Sequence, residues 1–244
     1  MLLSTIEDLQ NRGKKLFAML IDPDKQSLNE LESLTDMINQ PLGPDFLLVG
    51  GSLLFNSVDS VVRILKERTT KPVFLFPGSA MQITANADGI LLLSLISGRN
   101  ADLLIGQHVL AAPALAKSGL EIIPTGYMLI GAHNYTSVQY MSGTMPIPAD
   151  KTDIAVATAM AGQMLGLRTL YLEAGSGANE PISTKMIAAV RSSTRLPLIV
   201  GGGLRSANDV RQAFAAGADI AVVGTSIERN KLLISEIAAV VKEF

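Results

Sequence analysis

The sequence predicts a (β/α)8 barrel, the TIM-barrel architecture of the α/β class, formed as a single domain by residues 1–244. Eight short apolar runs alternate with amphipathic segments from one end of the chain to the other. The runs are almost continuously apolar, as is typical of parallel strands covered by helices. Eight strand–helix units close a barrel without a second domain. A doubly wound open sheet, which has the same alternation, is the competing architecture.

Four of the strands are predicted in the N-terminal half of the chain. Ser27 is followed three residues later by Glu30, the spacing of a capping box, so a helix is predicted to begin there. Only the segment "PGSAMQITANAD" separates the third strand from the fourth, so the third helix is predicted to be reduced to a turn. The four strands are Leu16–Ile21, Phe46–Val49, 73–76 and 90–95, and the further helices are Val58–Arg68 and 101–117.

The C-terminal half is predicted to supply the other four strands. The fifth begins at 120–123, and a long loop follows over 134–151 that is rich in Tyr, Ser, Thr, Gly and Pro. Loops of this length in a compact domain are usually lids or binding elements. The remaining strands are 169–172, 198–200 and Ile220–Val223, and the helices are 154–165, 183–192, 207–216 and 231–243.

Composition excludes several classes of function. Twenty basic and 22 acidic residues give a formal net charge of -2 with no basic cluster, which argues against a nucleic-acid partner. The chain has no cysteine, and His108 and His133 have no third ligand nearby, so no zinc site is expected. The apolar runs are much shorter than the ~20 residues that span a bilayer, and the N-terminal segment lacks a signal-peptide pattern. We therefore expect a soluble, cytoplasmic protein.

Glycines end the seventh and eighth strands, where the mouth of a barrel forms. Gly201–Gly203 ends "LIVGGG" and Gly224 with Thr225 ends "AVVGT", and each leads into a predicted helix. Glycines let backbone N–H groups approach an anion, and loops after strands seven and eight commonly bind phosphate in this fold. These glycines could instead serve only tight turns. Many phosphorylated ligands, flavin mononucleotide included, would fit the same pattern.

A metal site is one interpretation of the residues after the first two strands. Asp22 follows the first strand and Ser52 follows the second. Mg²⁺ commonly takes one or two carboxylates together with substrate phosphates and water. Asp22 could equally cap a helix or begin a turn, and Ser52 could be a helix cap. Asp24 and Lys25 are predicted to form a solvated turn.

A single carboxylate, Glu173, stands where the sixth strand meets the glycine-rich stretch "AGSG". An unpaired charge inside a barrel is costly, so this glutamate is predicted to face the open mouth. There it could accept a proton or a hydrogen bond from a substrate alcohol. Tyr171, two residues earlier, projects to the same face of the strand and could bond the carboxylate or the substrate. A structural ion pair between Glu173 and a Lys or Arg is the alternative.

Five motifs, in this order along the chain, resemble those of the geranylgeranylglyceryl phosphate synthase family. "YLEAGSGA" with the two later glycine loops is highly specific, whereas "DPDK" and "GGS" alone are weak. "SGRNAD" at 97–102 is similar to the family's stretch before the fourth helix, and the family's barrel lacks a regular third helix. The motifs are "LIDPDK", "LLVGGS", "YLEAGSGA", "LIVGGGLRS" and "AVVGTSIE".

The resemblance implies prenyl transfer from a prenyl diphosphate to the C3 hydroxyl of sn-glycerol 1-phosphate. By position, Asp22 and Ser52 would bind Mg²⁺, and Glu173 and Tyr171 would be catalytic. It further implies a homo-oligomer, an even-numbered one by analogy, and transient contact with a membrane surface. The residues that would bind glycerol 1-phosphate are Tyr171, Leu172, Glu173, Ala174, Gly175, Ser176, Gly177, Gly202, Gly203, Gly224 and Thr225.

At one position this chain differs from some bacterial relatives of the family, which have a lysine two residues before the metal-binding aspartate. This chain has Leu20 there, so that phosphate contact is absent or comes from elsewhere, and the branch that uses the C20 donor is indicated. A heptaprenyl donor is the alternative within the family. Outside it, the alternatives are another phosphate-binding barrel enzyme, such as a flavin-dependent oxidoreductase or a sugar-phosphate isomerase, and a non-catalytic barrel that binds a phospholipid precursor.

Overall fold

Eight parallel strands close into a barrel in the computed structural model, which describes residues 1–131 and 136–244. Successive barrel strands pair along the chain, and the last pairs with the first, so the sheet has no open edge. The predicted barrel is confirmed. Its strands are β1 (Leu16–Ile21), β2 (Phe46–Val49), β3 (Val73–Leu75), β4 (Gly89–Leu95), β5 (Glu121–Gly131), β7 (Thr169–Glu173), β8 (Leu198–Gly201) and β9 (Ile220–Val223), and β6 (Ile147–Pro148) pairs only with the end of β5.

Helices follow the barrel strands except between β3 and β4, where residues 76–88 contain none. The predicted loss of the third helix is therefore confirmed. No helix of the described residues is long and apolar enough to cross a membrane. The helices are α1 (Leu2–Asn11), α2 (Leu28–Ile38), α3 (Val58–Arg68), a π-helical turn (Asp102–Gly106) leading into α4 (Gln107–Ser118), α5 (Ser137–Ser142), α6 (Thr152–Met164), α7 (Thr184–Ser193), α8 (Ala207–Ala215), α9 (Thr225–Arg229) and α10 (Leu233–Val241).

The structure corrects the prediction for residues 134–151. Residues 134 and 135 lie outside the described range, and so does His133. The rest of the segment is not an irregular loop, because it contains α5 and β6. The fifth strand also continues to Gly131, since β5 pairs with β4 and β7 on its two sides despite the Pro, Thr and Gly in "IIPTGYMLIG".

Alternate residues of each strand form two separate apolar layers. Leu48, Phe74 and Ile199 belong to the cluster that fills the barrel. Their sequence neighbours, such as Leu47 and Val200, pack in the layer between strands and helices. Most strand residues are therefore buried on both faces of the sheet, which explains the continuous apolar runs of the sequence.

Helix α1, which was not predicted, covers the end of the barrel where the strands begin. Ile6 is buried in the same cluster as the barrel interior. The carboxylate of Glu121, at the start of β5, accepts the backbone N–H groups of Leu2 at 2.6 Å and Leu3 at 3.0 Å. A carboxylate at a helix N-terminus satisfies free N–H groups and complements the helix dipole. This end of the barrel is closed, and the opposite end carries the candidate site.

Candidate active site

Glu173 is the last residue of β7 and lies inside the mouth of the barrel. Its side chain is buried, with 5% of the residue exposed. The backbone N–H of Gly175 donates a hydrogen bond of 2.6 Å to Oε1. No lysine or arginine of the described residues forms an ion pair with it. The structural ion pair considered as the alternative is therefore not what holds Glu173 in place.

Burial makes Glu173 a weak acid. Removal from water raises its pKa from 4.5 to about 7, while the Gly175 N–H and then the hydroxyls of Tyr171 and Tyr127 oppose this by stabilising the ionised form. The pKa of each tyrosine is raised well above 10, first by burial and then by the nearby carboxylate. Near neutral pH, Glu173 thus exchanges a proton readily while both phenols stay neutral.

Three aromatic rings form the floor beneath this carboxylate. Phe76 stacks on Tyr171 with ring centroids 5.1 Å apart, and Tyr127 lies 5.4 Å from Tyr171. The Tyr171 hydroxyl is buried and lies close enough to Glu173 to favour its ionised form, but it has no well-aligned hydrogen-bond partner among the described residues. A buried polar group without a partner is costly, so this hydroxyl is available to a bound substrate or to Glu173. Tyr127 and Phe76 were missed in the sequence because only the closed barrel brings them beside Tyr171.

The glycines after β8 let the backbone approach the carboxylate closely. Gly202 has φ +76°, and a Cβ placed on it would lie 2.3 Å from Oε1 of Glu173. Gly203 has φ +71°, and a Cβ there would lie 2.4 Å from the carbonyl oxygen of Glu180. Side chains are excluded at both positions. The β8 loop can therefore pack directly against the β7 loop that carries Glu173, and this close approach of main chain requires glycine.

The three loops that follow β7, β8 and β9 meet at one point of the rim. The hydroxyls of Ser176 and Thr225 lie 3.3 Å apart, which joins the β7 loop to α9. Ser226 donates a hydrogen bond of 2.8 Å to the carbonyl of Leu204, which joins α9 to the β8 loop. These loops carry the predicted glycerol-phosphate residues. Leu172 differs, because its side chain packs in the outer apolar layer and only its main chain can face the mouth.

Asp22 and Ser52 lie on adjacent loops of the same rim. Oδ1 of Asp22 accepts the N–H of Asp24 at 3.0 Å, and a Cβ placed on Gly51 would lie 3.6 Å from Oδ2. Lys25 pairs with Asp22 at 3.4 Å and approaches Glu228 of α9 at 3.8 Å. Burial raises the pKa of Glu228, which Lys25 partly opposes.

The oxygen donors here fit Mg²⁺, although the described residues hold no cluster of three or more acidic, histidine or cysteine ligands. Mg²⁺ retains waters and takes substrate phosphate oxygens, so the Asp22 carboxylate and the Ser52 hydroxyl form a sufficient protein donor set.

Asp24 lies in an exposed turn, as predicted, and its carboxylate also binds the main chain of the next loop. Each of its carboxylate oxygens accepts a backbone N–H at 2.8 Å, one from Phe55 and one from Asn56. These bonds hold the Asp22 loop against the loop that carries Ser52. They lower the pKa of Asp24, the Phe55 N–H contributing most. The sequence offers no signal for this beyond the Asp-Pro-Asp spacing, since the partners lie some thirty residues away.

An apolar groove of about 610 Å³ opens where the third helix is missing. It begins beside Ser52 and Tyr127 at the rim and continues between α3, α4 and the outer face of β4. His108 also lines it; Nε2 of this histidine lies 3.4 Å from Ser94 Oγ, and its Nδ1 is buried with no hydrogen-bond partner in the part of the chain that the structure describes. The apolar lining includes Leu54, Pro77, Ile83, Leu92 and Ala111.

A closed parallel barrel with a buried proton-exchanging carboxylate beside glycine loops defines a TIM-barrel enzyme for a phosphorylated substrate. Residues 9–243 match the model of the PcrB family, and the chain belongs to this family. A geranylgeranylglyceryl phosphate synthase of Spirosoma linguale is 50% identical over 244 residues, covering 99% of this chain and 97% of the relative. The enzyme of the same name from Thermococcus gammatolerans is 43% identical over 220 residues, 89% of this chain and 86% of the relative.

A solved structure shares the whole fold. It is the (S)-3-O-geranylgeranylglyceryl phosphate synthase of Thermoplasma acidophilum in complex with its substrate sn-glycerol-1-phosphate. The TM-score is 0.93 at 30% identity, and the match covers 100% of this chain and 99% of the other. The family resemblance drawn from the five motifs is confirmed.

Proposed function

We propose that this protein is a geranylgeranylglyceryl phosphate synthase. It joins a geranylgeranyl group to the C3 hydroxyl of sn-glycerol 1-phosphate, a step of ether phospholipid biosynthesis. The bond between C1 of the prenyl group and its diphosphate breaks, and a bond from C1 to the C3 oxygen forms. The products are 3-O-geranylgeranyl-sn-glyceryl 1-phosphate, diphosphate and a proton. The observation that carries the proposal is a buried Glu173 with a pKa of about 7 among glycine loops, in a chain matched over its length to a complex with sn-glycerol-1-phosphate.

Glu173 is the general base of this reaction. A base is most effective when its pKa lies near the working pH, and such a group typically contributes ~10²–10⁴-fold in rate. The carboxylate orients the C3 hydroxyl and takes its proton as the ether bond forms. Tyr171 assists, because its buried hydroxyl lies near enough to the carboxylate to favour the ionised base.

The glycine loops hold the phosphate of the acceptor. Gly202 and Gly203 let the β8 loop approach the β7 loop closely, and Gly224 is the N-cap of α9, so main-chain N–H groups from these loops can serve the phosphate. Fixing the acceptor at its phosphate places the C3 hydroxyl within reach of Glu173. Such positioning supplies much of the rate gain in reactions between two bound substrates.

Asp22 and Ser52 would hold Mg²⁺ on the loops after β1 and β2, next to α9 at the rim of the mouth. When bound, the ion would neutralise the charge that develops on the departing diphosphate. The tie from Asp24 to Phe55 and Asn56 keeps the two loops together. The diphosphate of the donor is therefore placed between these loops and the acceptor.

The groove beside β4 takes the prenyl tail. It begins next to Ser52 and is lined mainly by apolar side chains, so the diphosphate lies at the rim while the hydrocarbon leaves water. Relatives between 41% and 50% identical carry the name of the geranylgeranyl enzyme, which supports the C20 donor over the heptaprenyl one.

Turnover with a series of donors tests the function. We expect turnover of sn-glycerol 1-phosphate with geranylgeranyl diphosphate, and less with C15 and C35 donors. Replacing Glu173 with Gln should lower kcat at least ~100-fold while glycerol 1-phosphate still binds in calorimetry.

Glu180→Gln is the matched control, because Glu180 is an exposed glutamate in the same loop, and it should leave kcat unchanged. Full turnover by E173Q would reject the assigned base, and preference for C35 would reject the C20 donor. A flavin absorbance in the purified protein would instead favour an oxidoreductase.

Two further parts of the proposal concern surfaces. Leu53 and Met81 line the groove opening and are 57% and 93% exposed, and Phe55 beside them is 91% exposed; they are suited to transient contact with the membrane that holds the lipid donor. Cosedimentation with lipid vesicles measures this contact, and no binding would reject it.

Val109 and Leu110 of α4 are exposed apolar residues that suit contacts within an even-numbered homo-oligomer. Light scattering gives the subunit number, and a monomer would reject that part.

A further inference from the structure

Arg205, in "LIVGGGLRS", has no role in the reaction as described so far. It lies in the loop between β8 and α8, and its side chain is exposed. Nη2 donates a hydrogen bond of 2.7 Å to the carbonyl oxygen of Ala178, in the loop after β7. The bond therefore joins two of the three loops that form the proposed phosphate site.

Arg205 is itself fixed by the start of α8. Its backbone N–H donates to Oδ2 of Asp209 at 2.9 Å, and the same oxygen accepts the N–H of Ser206. Ser206 and Asp209 form the capping box of α8. The guanidinium thus extends toward the neighbouring loop from an anchored main chain rather than from a free one.

Ala178, whose carbonyl accepts the hydrogen bond from Arg205, closes the turn that follows Glu173. The N–H of Ala178 donates to the carbonyl of Gly175 at 3.1 Å, and Gly175 in turn donates its N–H to Glu173. A chain of contacts therefore runs from the capping box through Arg205 to the base. With the Ser176–Thr225 and Ser226–Leu204 contacts, it completes a triangle that joins all three loops.

Arg205 is also the single cationic residue of the loop segments 174–183, 202–206 and 224. Leu20 of β1 lies beside the site, since a Cβ on Gly224 would be 3.2 Å from Leu20 Cβ, and it brings no charge. A guanidinium–carbonyl bond is charge-assisted, so Arg205 adds a charged contact to the two neutral ones that join these loops.

We propose that Arg205 is the positioning residue of the glycerol-phosphate site: it holds the Gly175–Ala178 turn in the conformation that accepts the phosphate. This inference rests on the proposed function and deepens it. Arg205 acts on the affinity for the acceptor, whereas Glu173 acts on turnover. The two roles are separable by experiment.

Calorimetry with sn-glycerol 1-phosphate, and with inorganic phosphate alone, tests the proposal. We expect R205M to weaken both ligands roughly tenfold, the scale of one charge-assisted bond. The Michaelis constant for glycerol 1-phosphate should rise equally, while kcat at saturation and the Michaelis constant for the donor stay unchanged. R205K keeps the charge and one donor group and should recover part of the affinity.

Arg211→Met is the matched control, because Arg211 is an exposed arginine of α8 paired with Glu243 and should leave all constants unchanged. Unchanged phosphate affinity in R205M would overturn the proposal. A fall in the Tm of R205M together with equal losses of affinity for donor and acceptor would also overturn it, because that pattern indicates a purely structural role. If E173Q retained full turnover, the proposed base would fall while the calorimetric result on Arg205 would still stand.

Discussion

Glu173 carries a cost in stability that its chemistry requires. Its pKa rises from 4.5 to about 7 on folding, and one pKa unit corresponds to about 1.4 kcal/mol. A carboxyl group whose pKa is higher in the folded than in the unfolded protein is easier to bury protonated than ionised. Its protonation therefore adds to the free energy of unfolding. That contribution is complete below pH 4.5 and is lost as the pH rises to about 7.

E173Q should therefore become more stable than the wild type as the pH rises. Its amide keeps an oxygen for the Gly175 N–H but never ionises. Between pH 5 and pH 8 we expect the free energy of unfolding of E173Q to gain about 2–3 kcal/mol over the wild type. Urea denaturation at both pH values measures this gain. A constant difference between the two proteins would show that the carboxylate is not desolvated.

Tyr171 tunes the same carboxylate. Its hydroxyl lowers the pKa of Glu173, against the larger effect of burial. Y171F should therefore move the acid limb of the kcat/KM profile to higher pH, because the base protonates more easily. Y140F is the control, since Tyr140 is 83% exposed on α5, and its profile should match the wild type. A downward shift in Y171F would contradict this role of the hydroxyl.

At the scale of elements, Asp59 compensates for the missing third helix. This residue of α3 accepts hydrogen bonds from Thr84 and Asn86, which lie in the helix-free connection between β3 and β4. It also bonds Arg63 at 2.7 Å. The Thr84 hydroxyl is buried, so it depends on this acceptor. The connection is thereby held against α3, beside the groove.

Asp59→Ala should destabilise the protein by about 1–3 kcal/mol, because it leaves the O–H donor of the buried Thr84 without its acceptor. Chemical denaturation measures the loss. Asp150→Ala is the control, since Asp150 is exposed and forms only a weak surface pair with Lys151, at 3.9 Å. Equal stability of the two variants would mean that the connection holds its shape without Asp59.

For the whole molecule, the barrel could be predicted from sequence because eight continuously apolar strands alternate with amphipathic segments. The same rule places Glu173, Gly202 and Gly224 at one rim, as the structure shows. What could not be predicted depends on contacts between distant segments. Examples are the stacking of Phe76 on Tyr171 and the hydrogen bond from the Phe55 N–H to the carboxylate of Asp24. No local sequence pattern predicts either contact.

The extent of some elements could not be predicted for similar reasons. The sequence indicated only where strand β5 begins, whereas pairing with strands on both sides keeps the chain extended through Pro124, Thr125 and Gly126. Thr125 is tolerated inside the barrel because its hydroxyl bonds that of Thr169 at 2.8 Å. Helix α1 was missed because its function is to cover the barrel end, which the sequence alone does not reveal.

The gap in the helical layer has a kinetic consequence. Because the groove leaves the mouth sideways along β4, a hydrocarbon tail need not occupy the path along the barrel axis by which the small polar acceptor arrives. Neither ligand has to wait for the other, so initial-rate measurements should give a random order of addition. The lipid-like product can withdraw laterally while diphosphate departs into solvent, and the two products leave by separate exits.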